Sequence, residues 1–118
     1  MEIRSLMINI YSYNESDFKA VFSFEGWKIG LLRYSDRFSH IGIWERHTQT
    51  AEVFVLMSGT AELYIKSNQN IISEKMEANK VYEVPKGEWH HIVVSKDATV
   101  LVIENSDTSK DNTEKQYD

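Results

Sequence analysis

The chain has no cysteine, and its 118 residues include a single proline. Without thiols there is no disulfide framework and no thiolate metal site, so any metal ligands must come from His, Asp or Glu. Positive charge is also scarce. Lys and Arg number 13 against 18 Asp and Glu, for a formal net charge of −5 and a pI near 5.3. That balance argues against nucleic acid or an anionic membrane as partner, because both need a basic face. No stretch approaches the roughly eighteen consecutive apolar residues of a membrane span. The segment from Met1 to Ile10 is too short and too interrupted for the apolar region of a signal peptide. These absences lead to the expectation of a soluble, cytoplasmic protein. What is present is apolar enough to fold: 42% hydrophobic with 12% aromatic residues excludes a wholly disordered chain. The length fits one domain and no more.

Alternation of apolar and polar residues with a period of two dominates the chain. Strands are predicted over 27–34, 41–46, 53–57, 61–66, 71–76, 81–84, 91–95 and 99–104. The third and fourth of these segments, 53–57 and 61–66, are predicted to form a hairpin through Ser58-Gly59-Thr60. Pro85 cannot donate to a central ladder and marks the end of the strand before it. About eight short strands at this spacing predict an all-β, antiparallel sandwich or barrel. Upstream, Ser16 to Phe22 is read as a short N-capped helical turn. Downstream, residues 106–118 are polar and are read as a frayed, solvated tail. The domain reading is therefore a β-barrel over 1–105, with an N-terminal strand or turn region at 1–26, the motif-bearing barrel at 27–105, and the tail at 106–118.

Three of the four histidines, His47, His90 and His91, fall in two segments together with the only proline. Alternation places His47, Glu45 and Ile43 on one face of their strand, with Trp44 and Arg46 on the other. Glu52 shares its face with Phe54 and Leu56, an apolar stripe suited to a barrel interior. His90, Ile92 and Val94 form a third inward face, which sets His91 outside. Glu45, His47, Glu52 and His90 are thus predicted to gather at one mouth of the barrel. Imidazoles with carboxylates suit Fe(II), Mn(II), Ni(II) or Zn(II), and the ligand types do not choose among them. Glu45 reads either as a fourth ligand or as a general base beside the metal. Tyr82 shares a face with Val84, which aims its hydroxyl at the pocket as a second proton-moving candidate. His40 is read as a loop residue without a role. The tryptophans and tyrosines are read as core or interface aromatics.

The order His47, four residues, Glu52, six residues, Gly59, followed by Pro85-x-Gly87-x-x-His90, resembles the two motifs of the cupins. The resemblance spans roughly residues 27–105 and implies a small jelly-roll β-barrel (a double-stranded β-helix) of the single-domain type, commonly dimeric. It implies metal ligation by His47, Glu52 and His90. The usual His-x-His of the first motif is here Glu45-Arg46-His47, so a carboxylate stands where a histidine is usual. Ser39 and Asn79 stand where glycines are usual, and Val94 where an asparagine is. Asn79 tolerates the left-handed backbone that a turn there requires. The function implied is a metal-binding cupin that binds or transforms a small oxygen-rich metabolite, as an oxygenase or isomerase if it is an enzyme. The alternatives are a metal-independent nucleotide-sugar epimerase or isomerase, and a non-catalytic sugar-binding cupin. No cationic side chain is placed inward by alternation, which counts against a diphosphate ligand.

Overall fold

A computed structural model describes residues 8–117. Residues 1–7, on which the signal-peptide reading and the start of the 1–26 region fall, lie outside the described residues. The chain forms ten strands: β1 (Asp17–Phe24), β2 (Trp27–Arg33), β3 (Ile43–His47), β4 (Glu52–Ser58), β5 (Ala61–Ser67), β6 (Asn70–Lys75), β7 (Val81–Val84), β8 (Trp89–Val94), β9 (Thr99–Asn105) and β10 (Thr113–Tyr117). They build two five-stranded antiparallel sheets, ordered β1-β2-β9-β4-β7 and β10-β3-β8-β5-β6. All eight predicted strands are present with shifted ends. No helix among the described residues is long and apolar enough to cross a membrane.

Alternation explains how the two sheets face one another. Phe54 and Leu56 of β4, Leu63 of β5, Ile92 and Val94 of β8, and Val100 and Val102 of β9 are all buried in one cluster. Each lies two residues from the next on its strand, as a half-buried sheet requires. Burying such side chains contributes roughly 1.5–3 kcal/mol apiece.

Two sequence expectations are corrected at the ends of the chain. Ser16 to Phe22 is not a helical turn; β1 runs through it and pairs antiparallel with β2. Its register shifts between Ala20 and Phe22, a bulge in which Val21 has no partner. The extra residue breaks the period of two, which hid the strand. The frayed tail is also overturned for most of its length. A short 3-10 turn at Lys110–Asn112 is capped by Ser109, and β10 pairs with β3 from Thr113↔His47 to Tyr117↔Ile43. Backbone pairing holds this segment, and it needs no apolar side chains, so hydropathy could not reveal it.

The predicted hairpin of 53–57 with 61–66 is likewise not formed. β4 pairs with β7 and β9, whereas β5 pairs with β6 and β8. Ser58-Gly59-Thr60 carries the chain from one sheet to the other. Beside it the β8–β9 turn makes the same crossing. Thr60 N donates to Ser95 Oγ at 2.9 Å, and Ser95 N donates to Thr60 O at 2.9 Å. Gly59 has φ +74°, and a Cβ there would lie 2.5 Å from Ala98 Cα. This crossing closes one end of the barrel. At the other end Gly87 N donates to His47 O at 2.9 Å, tying the Pro85 turn to β3. Asn79 adopts φ +69°, as its side chain permits.

Gly59→Ala should therefore destabilise the protein by roughly 2–4 kcal/mol, from backbone strain plus collision with Ala98. Gly87→Ala, at φ +85° with open space around it, should cost only about 1 kcal/mol. Urea denaturation midpoints of the two variants measure this; equal losses would show that the Gly59–Ala98 contact is unimportant.

Candidate metal centre

β3, β4 and β8 deliver His47, Glu52 and His90 to one point at the open end of the barrel. Their ligand atoms all lie within 4.8 Å of one another, and they are the one such group found among the described residues. His47 Nε2 and His90 Nε2 reach the same carboxylate oxygen, Glu52 Oε1, at 3.0 and 2.9 Å. All three residues are buried, at 5–8% exposure. A carboxylate this far from water survives only with strong partners. Burial alone would raise the Glu52 pKa, but the hydrogen bonds and positive charge of the two histidines hold it far below the usual carboxylate range.

Each imidazole is fixed from behind. His90 Nδ1 meets Glu88 O at 3.0 Å. A carbonyl only accepts, so His90 Nδ1 carries a proton. Its Nε2, 2.9 Å from a carboxylate oxygen that only accepts, then donates a second proton to Glu52. Burial disfavours the charged form of His90, yet Glu52 and Glu88 outweigh it and raise the pKa. His47 Nδ1 lies 2.9 Å from Thr113 Oγ1 on β10. Phe54 packs edge-on to the His90 ring, with centroids 6.1 Å apart. Two imidazole nitrogens and a carboxylate oxygen, each imidazole oriented by an outer partner, fit a divalent transition metal.

Above these groups lies an open cavity of about 230 Å³. That is below the roughly 300–1,000 Å³ of drug-sized sites and suits a small metabolite. Glu45 lines the cavity from β3, directly opposite His90 in register, but is not within the clustered trio. Tyr82 is not brought to the cavity lining: its hydroxyl accepts from Glu77 N at 2.8 Å. Its ring packs against the core from the edge strand β7. His91 is not outside. It is buried beside Phe38, with ring centroids 6.5 Å apart, and lines the same cavity. β3 and β8 share one register pair, and the His91 ring lies beside Phe38 of the 3-10 turn that precedes β3. His40 is exposed, with Nδ1 2.9 Å from Ser39 Oγ.

Sequence reasoning missed Glu104. It follows Val100 and Val102 on the buried face of β9 and is itself buried. The signal was available, because one more step of the same alternation points it inward. Burial pushes its carboxyl up to about 8, reinforced by a hydrogen bond to Glu52 and by that residue's charge, and opposed by Lys28. Lys28 Nζ is 3.7 Å from Glu104 Oε1. The Glu104 carboxyl thus favours its neutral form beside the histidine-bound carboxylate. Arg37, Lys110 and Lys115, also missed, line the cavity rim. Two of them belong to the segment read as a solvated tail.

No protein-family model matches the sequence, and no curated protein is detectably similar to it. Solved structures do share its fold. A cupin-2 domain protein from Shewanella frigidimarina is 22% identical over 79% of this chain and 84% of its own, with a TM-score of 0.58. The nucleoside dehydratase Pac13, known from Streptomyces, is 10% identical over 91% of this chain and 85% of its own, at 0.67. KdgF from Halomonas is 12% identical over 88% and 94%, at 0.60. The chain has the fold of a small cupin, a jelly roll of two antiparallel sheets that are not closed into a continuous barrel.

The buried acid predicts a pH effect in chelator-treated protein. Between its ordinary 4.5 and about 8, folded Glu104 keeps a proton that the unfolded chain has lost. The unfolded state then binds fewer protons, so stability falls as pH rises across that window and levels off above it. Glu104→Gln retains the donor without the ionisation and should flatten that part of the profile, read from urea midpoints against pH. An unchanged slope contradicts a protonated Glu104.

Proposed function

We propose that the chain holds a divalent transition metal (iron, manganese, nickel or zinc) through His47, Glu52 and His90, and uses the cavity above it for a small oxygen-rich metabolite. The observation that supports this most is the convergence of both imidazole Nε2 atoms on one buried carboxylate oxygen. A metal there would act as a Lewis acid toward a ligand oxygen. The protein's own groups supply the rest. Glu88 O and Thr113 Oγ1 orient the imidazoles, Phe54 and its apolar neighbours exclude water, and Glu104 stores a proton beside Glu52. Glu45, on the cavity wall opposite His90, serves as a fourth ligand or a general base in this reading. Oxygenation or isomerisation is the reaction class most compatible with that equipment. Tyr82 contributes no group to the cavity in this reading. The fold's neighbours include an oxalate decarboxylase from Bacillus subtilis and a Streptomyces protein crystallised with uridine, both concerned with small oxygen-rich molecules. A homodimer, on the strength of the cupin resemblance, and the cytoplasmic location expected from the sequence complete the reading.

A metal-independent reaction of the nucleotide-sugar epimerase kind is the second reading. What supports it is the buried His90, braced at Nδ1 by Glu88 O as a histidine base requires. The small cavity weighs against enclosing a whole nucleotide sugar. A non-catalytic sugar-binding role uses the same cavity and differs only in the absence of turnover.

Elemental analysis of protein purified without added metal, then reconstituted, separates these readings. Wild type should carry close to one equivalent, while His47→Ala and His90→Ala should remain nearly empty. Less than about a tenth of an equivalent in reconstituted wild type overturns the metal centre. Glu45→Gln should weaken metal retention if Glu45 is a ligand, and leave retention intact while slowing turnover if it is a base.

A further inference from the structure

The geometry points to an anion-binding rim on this cavity: Arg37, Lys110 and Lys115 hold a carboxylate or phosphate group of the ligand above the histidine floor. The inference rests on the reading of the cavity as a small-molecule site and not on the metal. Three cations on one small cavity are unexpected in a chain of net charge −5. They come from three separate elements: the 3-10 turn Asp36–Phe38, the 3-10 turn Lys110–Asn112, and β10. The fold therefore assembles them; no basic run in the sequence does.

Two of the three cations are free of ion pairs among the described residues, and the third is held in place by one. Among the described residues neither Lys110 nor Lys115 has an ion pair within 4.0 Å. Lys115 lies opposite Glu45 in the β10–β3 register, so its neighbour across the strands is the cavity's own acid. Arg37 is bound to Asp17 through Nε at 2.8 Å and Nη2 at 3.0 Å, and its guanidinium lies 4.4 Å over the Phe38 ring. That leaves a fixed guanidinium with further N–H donors free. Asp17 is itself strongly held: hydrogen bonds from Arg37 and Ser35 outweigh burial and lower its pKa to about 2.

His91 lines the cavity as well, but its Nε2 is sealed from solvent, so the cations and not this imidazole define the anion site. The ligand class that fits is a small acid: an anionic head on the cationic rim and oxygen atoms directed inward. A neutral sugar would leave the rim unused.

The test uses chelator-treated full-length protein, so the metal reading can fail without affecting it. Inorganic phosphate and malonate are titrated separately and followed by amide and lysine NMR shifts, with glycerol as the neutral comparison. Saturable binding of either anion, with shifts at Lys110 and Lys115, is expected. Phosphate alone assigns the rim to phosphate esters, and malonate alone to carboxylic acids. Lys110→Gln/Lys115→Gln, both exposed positions, should weaken binding roughly tenfold and leave the melting temperature unchanged. Raising ionic strength from about 0.01 M to about 0.15 M should also weaken it. Absence of saturation by both anions, or equal binding by the double variant, overturns the proposal.

Discussion

Glu52 is the constraint around which the rest of the site is arranged. A carboxylate with 8% exposure must be paired, and it accepts from two histidines on two other strands. Those histidines then need their own support. β10 supplies Thr113 to one, and the turn after Pro85 supplies Glu88 O to the other. Glu104 cannot ionise freely beside Glu52 and keeps its proton instead. Removing one partner from such a network leaves an uncompensated buried charge, typically a loss of several kcal/mol. The convergence of β3, β4, β8, β9 and β10 at the open end is thus an electrostatic requirement as well as a topological one.

Residues in strands that alternate strictly were legible from the sequence. The eight strands, the Pro85 turn, the left-handed Asn79 and the clustering of His47, Glu52 and His90 all follow from a period of two and from turn chemistry. What was hidden has specific physical causes. The bulge at Val21 spaces Phe18, Val21 and Phe22 like a helix face, so β1 read as a helical turn. β10 is held by backbone pairing and by Ser109 capping, which composition does not record. Gly59 gave a correct turn but the wrong partner strand, because local turn chemistry does not say whether a chain returns in its own sheet or crosses to the facing one. Tyr82 lies on the core side of an edge strand but spends its hydroxyl on Glu77 N. Side-chain facing alone could not foresee that.

The cavity is electrostatically layered. Carboxylates and histidines form the floor, and cations form part of the rim, with Glu45 and Lys115 in register between them. Such layering favours a ligand with a negative end outward and neutral or metal-seeking oxygens inward. Most of the rim comes from the last segment of the chain, so ligand preference and floor geometry share one structural element. Thr113 and Lys115 are neighbours on the same face of β10, one bracing His47 and the other reaching the mouth.

The central claim is that His47 and His90, through Nε2, form one ion-binding unit with Glu52. Histidine-selective 15N NMR during titration of the chelator-treated protein with Zn(II) tests it most directly. The account predicts that the Nε2 signals of His47 and His90 change together and saturate at one equivalent, while His40 and His91 keep their shifts. Response at His40 or His91 first, or none at His47 and His90, would contradict it.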